Sequence, residues 1–121
     1  MQKTIFALAT GNQISALSVI RVSGEDSKRI LKKLTLKNTP SPRILTLRNF
    51  YFPKSNKKLI DRCLVVWMPA PRSYTGEDCI EIYSHGGDAV FQGFFSALTS
   101  FPNVRYAEQG EFSKRAIING K

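Results

Sequence analysis

The sequence predicts an α+β domain, with a single mixed or mainly antiparallel sheet and about three helices. Three observations carry that reading. The 121 residues have the length of one ordinary domain, and 42% hydrophobic content is enough for one core without disulfides or a structural metal. The segments follow in the order β-β-α-β-β-β-α-β-α, with strands in consecutive runs. Two of those strands flank a short polar turn, as a hairpin requires.

Residues 4–9 and 17–23 are β-rich runs separated by Gly-Asn-Gln-Ile-Ser, which makes two strands and a loop. Ser23-Gly24-Glu25-Asp26 then opens a helix, with Ser23 and Asp26 spaced as an approximate capping box. Ile30, Leu31 and Leu34 form its apolar stripe, while Lys28, Arg29, Lys32 and Lys33 take the other side. The helix should end near Lys37, ahead of Pro40 and Pro42. Residues 44–52 alternate as a strand, residues 53–58 (Pro-Lys-Ser-Asn-Lys-Lys) turn, and residues 59–68 return.

Two prolines and a glycine make residues 69–76 a loop leading to a strand over residues 78–84. After His85-Gly86-Gly87, the spacing of Val90, Phe91, Phe94, Phe95 and Leu98 is the strongest helical pattern in the chain and demands a buried aromatic face. Residues 104–107 form a short strand. Residues 110–118, with Phe112, Ala116 and Ile117 as apolar positions, form a last short helix.

Eighteen Lys and Arg against nine Asp and Glu give a net charge of +9, which disfavours a basic partner and favours nucleic acid, anionic lipid or an acidic small molecule. The charge is uneven. From residue 27 to residue 60 the chain holds Lys28, Arg29, Lys32, Lys33, Lys37, Arg43, Arg48, Lys54, Lys57 and Lys58 and no acid. A solvated helix face plus a lysine-rich turn accounts for most of this; a nucleic-acid patch is the alternative.

The sequence excludes several chemistries. Cys63, Cys79 and the single His85 are scattered soft ligands, so no structural zinc site is expected, and both cysteines read as buried reduced thiols. A phosphate loop fails because Arg115 stands where Asn119-Gly120-Lys121 would need the first glycine. His85 has no serine elbow, which leaves a hydrolase triad unsupported. Gly11, Asn12 and Gln13 interrupt the first apolar run before a signal-peptide core is complete, and no later run approaches about 18 apolar residues, so the expectation is a soluble, cytoplasmic chain with no membrane partner.

Glu77 and Asp78 read as solvated or structural, with acid/base work as the alternative. Glu81 is different, because it interrupts the apolar run Cys79-Ile80-Glu81-Ile82-Tyr83, and Arg21 interrupts Val19-Ile20-Arg21-Val22 in the same way. A carboxylate in such a place needs a partner. Either the two form a structural bridge, or both face a pocket and orient a ligand. The Gly86-Gly87 turn reads first as a helix cap and second as a perch for an anion or heterocycle.

The segments TIFALAT, VIRVSG, MPAPRSYTGEDCIEIYSHGG and QGEFSKRAIINGK, in that order, closely resemble the N-terminal domain of the tRNA-modification GTPases of the MnmE/TrmE type, from Thr4 to Lys121. The resemblance implies a folate-binding domain similar to that of glycine-cleavage aminomethyltransferases. Such a domain holds 5-formyl-tetrahydrofolate or a related reduced folate as one-carbon donor and mediates homodimerisation. It further implies a longer protein, with a helical domain and a G domain that carries the potassium and magnesium sites. That protein works with an FAD-dependent partner to build an aminomethyl-type group on the wobble uridine of tRNA.

The present chain stops at Asn119-Gly120-Lys121, where the helical domain would begin, so it is expected to bind rather than to hydrolyse GTP. The family's folate contacts carry over to Arg21, Glu81 and Lys121. A carboxylate suits the flat donor pair of a pterin, and Arg21 and Lys121 suit the anionic tail or the one-carbon oxygen. Two departures concern loop shape: residues 11–15 lack a second glycine, and Gln109 stands in place of a proline before Gly110. Residues 11–15 could line the pocket or the dimer seam. The other readings are a basic tRNA-binding module working through residues 28–58 without folate, and an aminomethyltransferase-like one-carbon enzyme.

Overall fold

Apolar side chains at every second strand position need a common face to bury them. The computed structural model, which describes residues 3–9, 17–54 and 58–121, runs β1 (Thr4–Leu8), β2 (Leu17–Ser23), α1 (Ser27–Thr35), β3 (Thr46–Tyr51), β4 (Leu59–Met68), β5 (Cys79–His85), α2 (Asp88–Thr99), β6 (Val104–Tyr106) and α3 (Glu111–Ile118). This is the predicted element order. The six strands form one sheet in the order β3-β4-β5-β2-β1-β6, antiparallel throughout except for the parallel β1–β6 pair. The fold is therefore α+β with a mixed sheet. Residues 11–15, and Ser55, Asn56 and Lys57 of the hairpin turn, lie outside the described residues.

One face of the sheet holds the core. Phe6, Ile20, Val22, Phe50, Val65, Trp67, Ile80 and Ile82 are buried there against Ile30, Leu31 and Leu34 of α1 and Phe94, Ala97 and Leu98 of α2. Each fully buried aliphatic or aromatic side chain contributes about 1.5–3 kcal/mol. Phe94 meets Phe50 edge to face at 5.5 Å, and Phe6 meets Phe95 at 5.5 Å, which favours one packing of α2 over its rotated alternatives. Cys63 and Cys79 are free and buried, as expected. Among the described residues, no helix is long and apolar enough to cross a membrane, and no cluster of three metal-ligating side chains occurs.

Three local expectations need correction. The capping box does not form: α1 starts from Asp26 without a side-chain cap, because the Ser23 hydroxyl is engaged by residues more than fifty positions away. The helix ends at Thr35, with Leu36 left-handed at its C-cap, two residues before the expected stop. On α3, Ala116 is buried and Phe112 half-buried as expected, but Ile117 is exposed and Arg115 takes the buried place beside Ala116.

Gly24 makes the turn after β2. Its φ of +142° lies where side chains are rarely found, and a Cβ there would stand 2.5 Å from Thr4 Oγ1. That close approach seats β1 against the start of α1, where Thr4 Oγ1 accepts the Asp26 N–H.

Candidate functional site: a charged pair between two aromatic walls

The face of the sheet opposite the core is only partly covered. Arg21 is directly opposite Glu81 in the β2–β5 register, and Val66 of β4 is opposite Glu81 on the other side. Alternation puts these side chains on the face away from α1 and α2, since their neighbours Ile20, Val22, Ile80 and Ile82 are in the core. Arg21 Nε donates to Glu81 Oε2 at 2.9 Å, and Arg21 Nη2 lies 2.8 Å from the same oxygen. Glu81 Oε1 accepts the Tyr83 hydroxyl at 2.6 Å. Burial, and then this bond to the carboxylate, push the Tyr83 hydroxyl up to about 12.

Both charged side chains keep access to solvent, with 31% of Arg21 and 20% of Glu81 exposed. The guanidinium lies 5.5 Å from the ring centre of Tyr74 and 5.8 Å from that of Phe112. The charged pair and the two rings that flank it, one from the connection between β4 and β5 and one from α3, make up the candidate slot. A flat, polar, partly anionic heterocycle is the chemistry such a slot suits: ring faces for the aromatics, donors for Glu81 and acceptors for Arg21.

The walls are held by a network that starts at Arg115, itself 4% exposed. Its Nη1 contacts both Glu77 oxygens, at 3.2 and 3.3 Å, and its Nη2 donates to the Lys3 carbonyl at 2.6 Å and to Glu111 Oε2 at 3.1 Å. Glu77 accepts the Ser23 hydroxyl at 2.7 Å. With that proton committed, Thr75 is the donor in the 2.7 Å Thr75–Ser23 contact. Asn119 Nδ2 donates to the Thr75 carbonyl at 2.9 Å, and Tyr74 and Ser113 hydroxyls meet at 3.1 Å. Gly76, at φ +83°, allows this approach: a Cβ there would be 2.8 Å from the Asn119 Cβ. Arg105 forks onto Glu111 at 2.6 and 2.7 Å. That bond, with the Glu108 backbone N–H and the nearby Arg115 charge, holds the Glu111 carboxyl down at about 2.

Of the residues singled out from sequence, Arg21 and Glu81 are brought together, and the structural bridge between them forms. Lys121 donates its backbone N–H to the Ala116 carbonyl, and its side chain is exposed and not paired with either. Glu77 and Asp78 are structural: Glu77 in the Arg115 network, Asp78 as acceptor of the Ala70 N–H. His85 Nδ1 lies 2.8 Å from Asp61 Oδ1 and caps the far end of β5. Sequence reasoning missed Tyr74, Phe112 and Arg115. The first two sit in segments flagged for other reasons, and an arginine on a short exposed helix gives no sign that it will be buried.

The family described as GTP-binding protein TrmE N-terminus matches residues 4–121. The chain is 48% identical over 119 residues to the human mitochondrial 5-taurinomethyluridine tRNA synthase subunit GTPB3, covering 98% of this chain and 24% of that protein. It is 41% identical over 121 residues to the tRNA modification GTPase MnmE of Chelativorans sp., covering 100% of this chain and 27% of the relative. With MnmE of Beijerinckia indica the identity is 46% over 119 residues, 98% and 26% of the two chains. The chain thus spans about a quarter of the length of these relatives. From the motif order, the α+β fold and this match over nearly its whole length, the chain belongs to the family of TrmE N-terminal domains of tRNA-modification enzymes.

Proposed function

We propose that this chain is a folate-binding and self-association module of a tRNA wobble-uridine modification GTPase, with 5-formyl-tetrahydrofolate or a related reduced folate as its ligand. The observation that supports it best is the Arg21–Glu81 pair set between Tyr74 and Phe112. A pterin ring carries a donor pair and an oxo group side by side. Glu81 takes the donors and Arg21 the oxo group, a division favoured by the contact between these two side chains, which address neighbouring atoms of one ring. The folate's anionic tail then falls to Lys121, exposed and three residues past the end of α3. The folate supplies the one-carbon unit; the chain's residues bind and orient it, and no residue here is assigned a catalytic step.

Self-association is supported by the rest of the same face, where Leu17, Leu47 and Leu64 are exposed large apolar side chains around the pair. GTP hydrolysis, and cooperation with an FAD-dependent partner on tRNA, belong in this proposal to segments of the longer protein. Titration calorimetry with 5-formyl-tetrahydrofolate tests the reading. Saturable heat with the wild type and at least a tenfold loss in Glu81→Ala, with unchanged circular dichroism, is the expected result. No heat with folded wild type overturns it, and collapse of Glu81→Ala returns Arg21–Glu81 to a purely structural role.

A further inference from the structure

A second charged feature lies away from the folate slot, where the end of α1 meets the outer strand β3. A cleft of about 150 Å³ is lined there by Lys37, Arg48 and Arg62 together with Thr35, Asn49 and Tyr51. Three cations and no carboxylate line it. The acid next in sequence, Asp61, is turned away: its oxygens accept the His85 N–H at 2.8 Å and the Arg62 N–H at 2.9 Å. Like charges gathered in a small, partly enclosed space repel one another unless a counter-anion enters.

Arg48 gives an independent sign. Its Nη1 donates to the carbonyl of its own neighbour Leu47 at 3.0 Å, while its Nε is buried and has no hydrogen-bond partner among the described residues. A buried cationic donor left without an acceptor is costly, and native structures rarely keep one without a water or a ligand to satisfy it. Tyr51 adds a further donor, because its oxygen already accepts from Asn49 Nδ2 at 3.2 Å and its proton is directed elsewhere. The polar lining is therefore dominated by donors, which calls for a ligand made of acceptors. At about 150 Å³ the cleft has room for a phosphate group.

The helix that leads into the cleft carries further cations, of which Arg29 is also paired with Asp26 at 3.7 Å. Lys28 with Lys32, and Arg29 with Lys33, form two like-charge i,i+4 pairs on the exposed side of α1, an arrangement that weakens a helix in isolation. A single small anion needs no such approach; a chain of phosphates does. The relatives named above carry tRNA in their names. We propose that this cleft seats a backbone phosphate of an RNA, with Lys37, Arg48 and Arg62 as its ligands and the α1 cations guiding the flanking phosphates. The proposal stands apart from the folate slot, which uses none of these residues, while Leu47 of the self-association surface also lines the cleft.

Fluorescence anisotropy of a labelled tRNA transcript, titrated with the 121-residue chain over a series of KCl concentrations, tests it. Lys37→Gln with Arg62→Gln removes two exposed cations, and the protein should melt as the wild type does. Binding should fall roughly tenfold near 0.1 M salt, and the slope of log K against log salt should drop by about 0.7–0.9, the share of the one seated phosphate. Arg48→Gln should act in the same direction. Lys3→Gln with Lys114→Gln removes the same charge elsewhere and should leave affinity within about twofold.

Four results would overturn the proposal. The wild type binds no tRNA, or the control pair weakens binding as much as the cleft pair. Inorganic phosphate shifts the backbone amides of residues 37, 48 and 62 while the cleft variant keeps full tRNA affinity, which makes it a small-anion site. Or the cleft variant keeps tRNA binding and assembles into species larger than the wild type forms, which assigns the cations to shielding the exposed edge of β3.

Discussion

Arg115 of α3 and Glu77 of the β4–β5 connection meet at 3.2 Å behind the slot that holds Arg21, and the two aromatic walls of that slot come from the two segments this pair ties together. Among the described residues Arg115 makes its hydrogen bonds to Glu77, Lys3 and Glu111 rather than to Arg21 or Glu81, and it is a positioning residue. Replacing it with Met leaves the partly buried Glu77 carboxylate without its cation, while Glu111 keeps Arg105, and should cost about 3 kcal/mol in urea unfolding. Arg115→Lys keeps the charge and loses the fork, so it should cost less. If stability barely moves in Arg115→Met, the network is peripheral.

Acid stability should carry the mark of Glu111. Its carboxyl is held at about 2, below the ordinary 4.5, chiefly by the Arg105 fork. A depressed folded-state pKa means stability that is fully present above the unfolded value and lost as pH falls from about 4.5 through about 2. Melting temperature should decline over that window, and Glu111→Gln should flatten this part of the decline while lowering stability at neutral pH.

Glu81→Gln should separate ligand chemistry from folding. The Arg21–Glu81 pair is partly solvated, so its loss should cost about 0.5–1 kcal/mol of stability. The same change removes part of what raises the Tyr83 hydroxyl to about 12. In an alkaline absorbance titration, the highest-titrating tyrosine should move down toward 10 in Glu81→Gln but stop short of it, because burial is the larger cause. Tyr83→Phe should abolish that phase and identify it.

Cys63 should be inert in the native protein. Burial, and then the neighbouring Asp61 carboxylate, push its thiol up to about 12, leaving a thiolate fraction of about 10⁻⁴ at pH 8. A thiol reagent should therefore modify it at the rate of unfolding, and that rate should rise in Arg115→Met. Reaction at the speed of a free thiol would show that the β4 end of the core opens readily.

The exposed leucines of the open face test self-association. Leu64→Glu puts a charge at the centre of the apolar surface formed with Leu47 and Leu17. Light scattering should find the wild type larger than a single chain and Leu64→Glu at the mass of one chain, with unchanged circular dichroism, since Leu64 is exposed.

The order of elements was legible from sequence because each strand and the two longer helices carry enough apolar positions for their period to show. The spacing of Phe91, Phe94, Phe95 and Leu98 allows one helix face, and α2 buries Phe94 and Leu98 fully with Phe91 and Phe95 at the margin. α3 was legible as a helix but not in its orientation. Eight residues are two turns, and the covered side turned out to be the one that offers Arg115 to two carboxylates rather than Ile117 to the core. The Ser23–Asp26 cap failed for a related reason, since a local hydrogen bond competes with every acceptor that tertiary folding brings near, and Glu77 won.

By itself the sequence determined that Arg21 and Glu81 are anomalous, because a charge inside an apolar strand is conspicuous at any register. It also determined the family, because the motifs and their order lie in the chain. Only the tertiary structure decided that the two charges face each other, since that depends on β2 and β5 being neighbours in register, sixty residues apart. The walls of Tyr74 and Phe112, the buried Arg115 and the unpartnered Arg48 Nε belong to the same class. Each is a relation between distant segments, and periodicity along a chain records which side of an element is buried but not what that side will meet.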